Sequence, residues 1–495
     1  MSRKVHLLFL AVFFVAQNST LLSASDLSTW GEFLPPVAVA QGGEPVPALD
    51  LIRQAPPKPL KRLGRTNEAD SIQLRTLKEW NRSGRLPVQN GFRHAIGTPA
   101  RVSIGGPSTP PGRSNDVLIQ DQGGVLTQST NGDLAWAASV SIEDAQRLRL
   151  ELKRVRLSGD VRMWVYGASG ELVGPFGAEL VAPNGTLWTP SVDGPVITLV
   201  ISVPQTAPAA SFSIAGVAEL FRLDAQRQPI MGAEAEDDLS CILDTQCMTT
   251  ADFSAIEETE KAVAFLTYMK DGGSYMCSGG LVNDTDTTTY IPYLLTANHC
   301  IDSVDSAASL EAFWDYKRDA CLGVAPSLGS LPRSSGSTLL ATGTSGDFTL
   351  LRLNSIPAGR YLMGWNANSS AISHGTILNR VSHPTGLPQS FSQSRVDTTT
   401  SECSALPRPD FIYETPLVGG TVGGSSGSIV QLDNGQIVGQ LFGACGANPS
   451  VSCDYSNETV DGSLASYWPA VANYLNPPTD VPLPPAQVDA SDGLY

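Results

Sequence analysis

Cysteine is missing from everything before Cys241, and all eight cysteines fall between Cys241 and Cys453. No Cys-x-x-Cys pair occurs among them, so a thiolate zinc centre has little basis and no metal is expected. Histidine is scarce. Of five, His6 and His94 lie in the first part, which leaves His299, His374 and His383 for the cysteine-bearing part. Only 16% of residues are charged, and the formal net charge is -16. That balance argues against nucleic acid or an anionic membrane surface as the main partner. The apolar stretch from Leu7 to Ala16 is too short to span a bilayer and no later run reaches that length, so no membrane anchor is expected. No cofactor is expected either.

What is present begins with Arg3 and Lys4, then the short apolar run, then Ser23-Ala24-Ser25. A charged start, an apolar middle and small residues make residues 1–24 a secretory signal peptide, so the chain is expected to be secreted, extracellular or periplasmic. An even cysteine count in one region of an exported chain implies four disulfides, with connectivity open at this level.

Residues 25–110 form a proline-rich leader, with one helical stretch around Ser71 to Asn81 where Ile72, Leu74, Leu77 and Trp80 recur at helical spacing. From 111 to 223 the chain alternates. Leu148, Leu150 and Leu152 repeat at period two, as do Val161, Met163 and Val165, then Ile197, Leu199, Ile201 and Val203. Short strands divided by turn clusters such as Pro183-Asn184-Gly185 predict an antiparallel β-sandwich. Residues 224–236 read as an acidic joint open to proteolytic processing. Residues 237–476 carry short apolar runs and many glycines, ending in a helical stretch from Tyr467 to Leu475. A second proline-rich segment, 477–495, forms the tail.

Three motifs in the cysteine-bearing part carry chemistry. Thr296-Ala297-Asn298-His299-Cys300 follows the apolar run Ile291 to Leu295; Ser345-Gly346-Asp347 precedes Phe348 to Leu353; Gly424-Ser425-Ser426-Gly427-Ser428 sits among further glycines. A serine hydroxyl needs a base to take its proton and amides to hold the oxyanion that forms. Small residues around Ser426 let the backbone turn tightly enough to aim such amides. His374 and His383 sit in turn-like settings, whereas His299 follows a strand. Histidine, aspartate and serine thus occur in the order used by chymotrypsin-type hydrolases. Each motif alone is weak; together they predict a serine endopeptidase acting on protein or peptide substrates.

From Cys241-Ile242-Leu243-Asp244, Cys277 to Asn283, Thr296 to Cys300, Asp347 to Leu351, Ser382-His383-Pro384, Gly424 to Ser428 and Gly439-Gln440-Leu441, the chain resembles the bacterial lysyl endopeptidases of the trypsin-like superfamily. The resemblance covers roughly residues 236 to 475. It implies an all-β fold, with two six-stranded antiparallel barrels and a short C-terminal helix, preceded by a β-sandwich-like pro-region. It makes Ser426 the nucleophile, His299 the general base and Asp347 its orienting carboxylate, with the amides of Gly424 and Ser426 as oxyanion hole. It pairs Cys277 with Cys300, Cys241 with Cys453 and Cys247 with Cys321, and Cys403 with Cys445 by exclusion.

Two departures from that pattern matter. Ser425 precedes the nucleophile where trypsin-like zymogens use an aspartate, so activation by insertion of a new N-terminus is not expected. Phe442 replaces a pocket-wall histidine of the lysine-specific members, while Glu458 and Asp461 fall near the expected pocket base. With these two carboxylates, cleavage after Lys or Arg is favoured. The pro-region is expected to be a partner of its own protease domain. Two other readings keep the fold, a catalytically silent binding protein and a secreted esterase.

Overall fold

The structure is a computed structural model that describes residues 32–33, 59–63, 69–82, 86–105, 124–128, 132–221, 239–286, 290–449, 451 and 453–477. The signal peptide, the acidic joint and all but the first residue of the tail lie outside these.

The described chain is mostly β. The alternating segments become strands Arg147–Arg156, Arg162–Gly167, Val196–Val203 and Ala210–Leu220 of two sheets. Leu148, Leu150, Leu152, Met163, Val165, Leu199 and Ile201 are all within 1% of complete burial, in one core between the sheets. Period-two spacing puts these residues on one face of each strand, which is why they meet.

The sandwich takes a strand from the leader. Residues Val88–Ile104, which from sequence read as linker or extended chain within the proline-rich leader, form one long strand. It pairs along Ala210–Leu220 on one side. At its start it also pairs with Gly273–Val282, in the register Val88 to Met276, Gln89 to Tyr275, Gly91 to Ser274 and Phe92 to Gly273. One sheet therefore runs unbroken from the sandwich into the next unit. Gly91 is needed there, because a Cβ would collide with the Glu219 carbonyl. The leader helix Ala69–Arg82 covers this strand, Leu77 packing with Phe92 and Phe221.

Beyond the joint lie two antiparallel units. In the second, Ser390–Val396, Ile377–Ser382, Ile429–Gln431, Ile437–Cys445, Glu458–Ser463 and Phe411–Gly419 pair in turn, and the last returns to the first, closing a six-stranded barrel. The first follows a path from Arg333–Ser335 through Glu311–Phe313, Val263–Lys270, Gly273–Val282, Tyr293–Ala297 and Phe348–Leu353 to Ser337–Gly343, and stays open as a half-barrel. Tyr293–Ala297 covers only Gly280 to Val282 of its neighbour, and the uncovered flank is where Val88 to Phe92 pair. Helix Leu464–Leu475 is the last described element, packing Leu464, Tyr467, Val471 and Leu475 into the core shared with the first unit. Four disulfides join Cys241 to Cys453, Cys247 to Cys321, Cys277 to Cys300 and Cys403 to Cys445.

An ionic seam locks the sandwich to the half-barrel. Arg147 reaches Glu171 at 2.7 Å and Asp193 at 3.0 Å within the sandwich. Across the boundary Arg149 stands 3.6 Å from Glu311, which also accepts the Ser191 amide at 2.9 Å, and Arg333 pairs with Glu171. Glu311 is fully buried, a cost that its cationic neighbours Arg149, Arg333 and Arg147 outweigh, holding its carboxyl below the usual value. Among the described residues no helix is long and apolar enough to cross a membrane.

Candidate active site

His299 follows the Tyr293–Ala297 strand, whose neighbour Phe348–Leu353 begins directly after Asp347. Pairing of those two strands delivers both residues to the same end of the sheet. Asp347 is 4% exposed and its φ is +48°, a conformation that Asp tolerates better than most residues. Its carboxylate accepts from the His299 amide at 2.9 Å and lies 2.7 Å from His299 Nδ1. Its carbonyl accepts from the Asn298 amide at 2.9 Å and from Gln440 Nε2 at 3.1 Å. Tyr467, from helix Leu464–Leu475, donates in turn to Gln440. Asp347 is thus held from both units, its carboxylate by His299 and its carbonyl by Gln440, and the imidazole is oriented with Nδ1 towards the carboxylate.

The Ser426 turn is built against the same sheet. Its own hydrogen bonds use the amides of Ser425, Gly427 and Ser428, to Val422, Leu441 and Ser425. The amides of Gly424 and Ser426 take no part in them. Gly424 has φ +99° and a Cβ there would meet the His383 carbonyl at 2.8 Å; at Gly427, φ +78°, it would meet Thr296 and Ser278. Only glycine fits either place. Ser278 staples the turn from across the molecule, its amide donating to the Ser426 carbonyl at 2.8 Å and its hydroxyl to the Gly424 carbonyl at 2.9 Å. Ser426 is 3% exposed, and His299 Nε2 is buried without a hydrogen-bond partner. The serine-to-imidazole bond is therefore not made here, in keeping with the looseness of such contacts before substrate binds.

The other histidines stand apart. His374 is exposed, 3.6 Å from Asp397. His383 is completely buried, stacked on Tyr316 with Nδ1 3.0 Å from the Leu387 carbonyl, and burial lowers its pKa to about 4. Cys277, His299 and Cys300 have donor atoms within 4.8 Å of one another, but the two sulfurs are bonded to each other and offer no thiolate.

Phe442 lies edge-on to His299, ring centres 5.9 Å apart. Glu458 and Asp461 share the strand Glu458–Ser463, three residues apart, so alternation sends them to opposite faces. They do not line one pocket together. Asp461 is 0% exposed and lies 2.6 Å from Arg380. The same guanidinium donates to the Ser428 carbonyl at 3.2 Å, two residues past Ser426. Glu414 joins this cluster; burial and then Asp461 push its carboxyl well above the usual range, and it accepts from Ser394. Glu458, on the other face, is also raised, by burial and then by Asp397. Sequence reasoning missed Arg380 and Glu414, and gave Ser278 and Gln440, inside motifs it did single out, no role of their own. A lone arginine inside the run Ile377–Ser382 was the available cue.

Comparison with known proteins finds family matches in both parts of the chain. The family model described as "Lysyl endopeptidase, C-terminal domain" matches residues 235–457, and that described as "Lysyl endopeptidase N-terminal domain" matches residues 127–218. A lysyl endopeptidase of Pseudomonas aeruginosa is 28% identical over 399 residues, covering 77% of this chain and 82% of the relative. Among solved structures, the HtrA-type protease AlgW with tripeptide is similar at 18% identity and TM-score 0.32, with 46% of this chain and 64% of that chain covered. The Rv3671c protease from M. tuberculosis, active form, is similar at 14% identity and TM-score 0.31, with 46% and 86% covered. The chain is a serine endopeptidase. Within that class it is a lysyl endopeptidase-like protease.

Proposed function

We propose that the chain is a secreted endopeptidase, made with a removable pro-region, in which Ser426 attacks the peptide carbonyl and an acyl-enzyme forms. His299 takes the serine proton and returns it to the leaving amine. Asp347 orients the imidazole and stabilises its charged form, and the amides of Gly424 and Ser426 hold the oxyanion. The observation that carries this reading is the doubly bonded Asp347–His299 pair, 2.7 Å side chain to side chain, facing a turn with two uncommitted amides. The disulfides and the leading apolar segment support secretion.

A preference for Lys or Arg follows from the carboxylates Glu458 and Asp461 near the expected pocket. With Asp461 paired to Arg380, the preference for Lys or Arg rests on Glu458, whose Oε2 is buried without a hydrogen-bond partner, and on the likeness to lysyl endopeptidases. The test is reaction of the processed protein with a fluorophosphonate, followed by peptide mapping and by sequencing of the sites it cuts in one denatured protein. The adduct is expected on Ser426 and should vanish in His299→Ala. An adduct on another residue, or its survival in His299→Ala, would reject the assignment. Cuts confined to residues other than Lys and Arg would reject the pocket reading alone.

A further inference from the structure

Five observations outside the triad converge on one short segment of the leader. Val88 and Gln89 pair antiparallel with Met276 and Tyr275. One step further along that strand lie Cys277 and Ser278, and the Ser278 amide bonds the Ser426 carbonyl. The chain before Val88 is therefore heading onto the Ser426 turn. Val88 itself presses on Gly423, where a Cβ would collide with its side chain. Leu86 reaches the opposite wall, and a Cβ on Gly443, next to Phe442, would stand 3.6 Å from Leu86 Cδ1. Pro87, buried, bridges the two.

The segment is clamped from behind by the leader helix. Trp80 Nε1 donates to the Pro87 carbonyl at 2.9 Å. Asn81 both donates to the Gln89 carbonyl and accepts from its amide, each at 2.9 Å. Trp80 also packs on Tyr275, ring centres 5.9 Å apart. Extended chain added to a free sheet edge, with alternate side chains seated against the walls, is how peptides are recognised by strand addition. Here the peptide is the protein's own.

We propose that Leu86–Gln89 is a plug laid through the peptide cleft in the manner of a substrate, and that it keeps the full chain inactive until it is withdrawn. The proposal rests on Ser426 being the nucleophile. Leu86 occupies the wall at Gly443, Val88 and Gln89 occupy the edge that would take the chain beyond the cleaved bond, and Pro87 spans the turn between them. The buried, partnerless Nε2 of His299 fits a cleft already covered. Proline has no N–H and a rigid ring, so the covering residue is a poor stand-in for an ordinary amide at the reacting position. The ionic seam then serves to hold the plug in register, since Arg149 and Glu171 of the pro-region grip Glu311 and Arg333 of the protease.

The experiment uses the full chain and a small fluorophosphonate, with the rate of Ser426 labelling as readout. Leu86→Gly and the milder Val88→Ala are expected to label at least ten-fold faster than the unaltered chain. Arg101→Ala, at an exposed position on the same strand, should leave the rate unchanged. Near-UV circular dichroism on each variant separates release of the plug from loss of fold, and Val88→Ala keeps the test alive should Leu86→Gly not fold. Equal labelling rates in folded variants and unaltered chain would overturn the plug while leaving Ser426 in place. No labelling in any variant, nor after limited proteolysis of the joint at 224–236, would overturn the Ser426 reading and the plug with it.

Discussion

Residues 132–221 form a sandwich without one cysteine, whereas residues 239–477 carry four disulfides around a closed barrel and a half-barrel. Both are antiparallel β-structure with fully buried aliphatic cores. They differ in what holds them beyond the core. The sandwich depends on a strand shared with the leader and on an ionic seam against its neighbour, so its outer support is noncovalent and reversible. The protease part is tied covalently, one bridge joining Cys241 near its start to Cys453 near its end. On the function proposed, a part that is shed can rely on contacts that dissociate, while a part that works outside the cell gains from links that do not. On that reading the seam and the proposed plug belong together, as the means by which a temporary partner is held.

The largest expected effect tests where the chemistry lies. Ser426→Ala should lower peptide turnover on the order of 10⁶-fold, with no change in the melting temperature of the protease part, measured by hydrolysis and calorimetry on the processed protein. Next, Arg380→Ala leaves Asp461 buried without its partner. It should cost about 3–5 kcal/mol in urea unfolding, and the loss should fall on the barrel, as read by region-resolved hydrogen exchange; equal loss in the sandwich would break the comparison. Replacing Cys277 and Cys300 together by serine opens a bridge spanning a sequence separation of 23. The expected cost is about 3 kcal/mol, again confined to residues 239–477.

Two further predictions concern acid. His383 is held neutral by burial, its pKa lowered to about 4 from 6.5. Because the unfolded chain takes the proton more readily, the associated stability is full above pH 6.5 and drains away as pH falls towards 4. The total is at most about 3 kcal/mol. A His383→Gln variant that stays folded should show a flatter stability profile over that window. The smallest effect belongs to the seam. Glu311 docks with its carboxyl below its ordinary value of 4.5. Docking of the sandwich is therefore fully supported above that value and weakens as pH drops through the lowered one. Sedimentation of clipped but uncleared protein across pH 3 to 6, an interval set by the carboxylate range, should show the two parts separating at the acid end, and Glu311→Gln should separate them already at neutral pH.

Much of this was legible in one dimension because it is written with short periods. Alternation over Leu148 to Leu152 or Ile197 to Val203 states which face is apolar without reference to any other strand, and so an all-β chain with a sandwich could be read directly. The helical spacing of Ile72, Leu77 and Trp80 located the helix that the structure places at Ala69–Arg82. The order of His299, Asp347 and Ser426 could be picked out because each follows or precedes a recognisable strand or glycine turn. Other features depend on what lies opposite. Whether Val88 to Ile104 is linker or strand is decided by Ala210–Leu220 and by the uncovered flank of Gly273–Val282, more than a hundred residues away along the chain. Proximity in sequence put Glu458 and Asp461 together; the pleat of a strand puts them on opposite faces, and a buried Arg380 from another strand claims one of them. Residue type and spacing are local properties and survive in the sequence, but partner, face and access come from packing distant segments together, and those only the tertiary structure could decide.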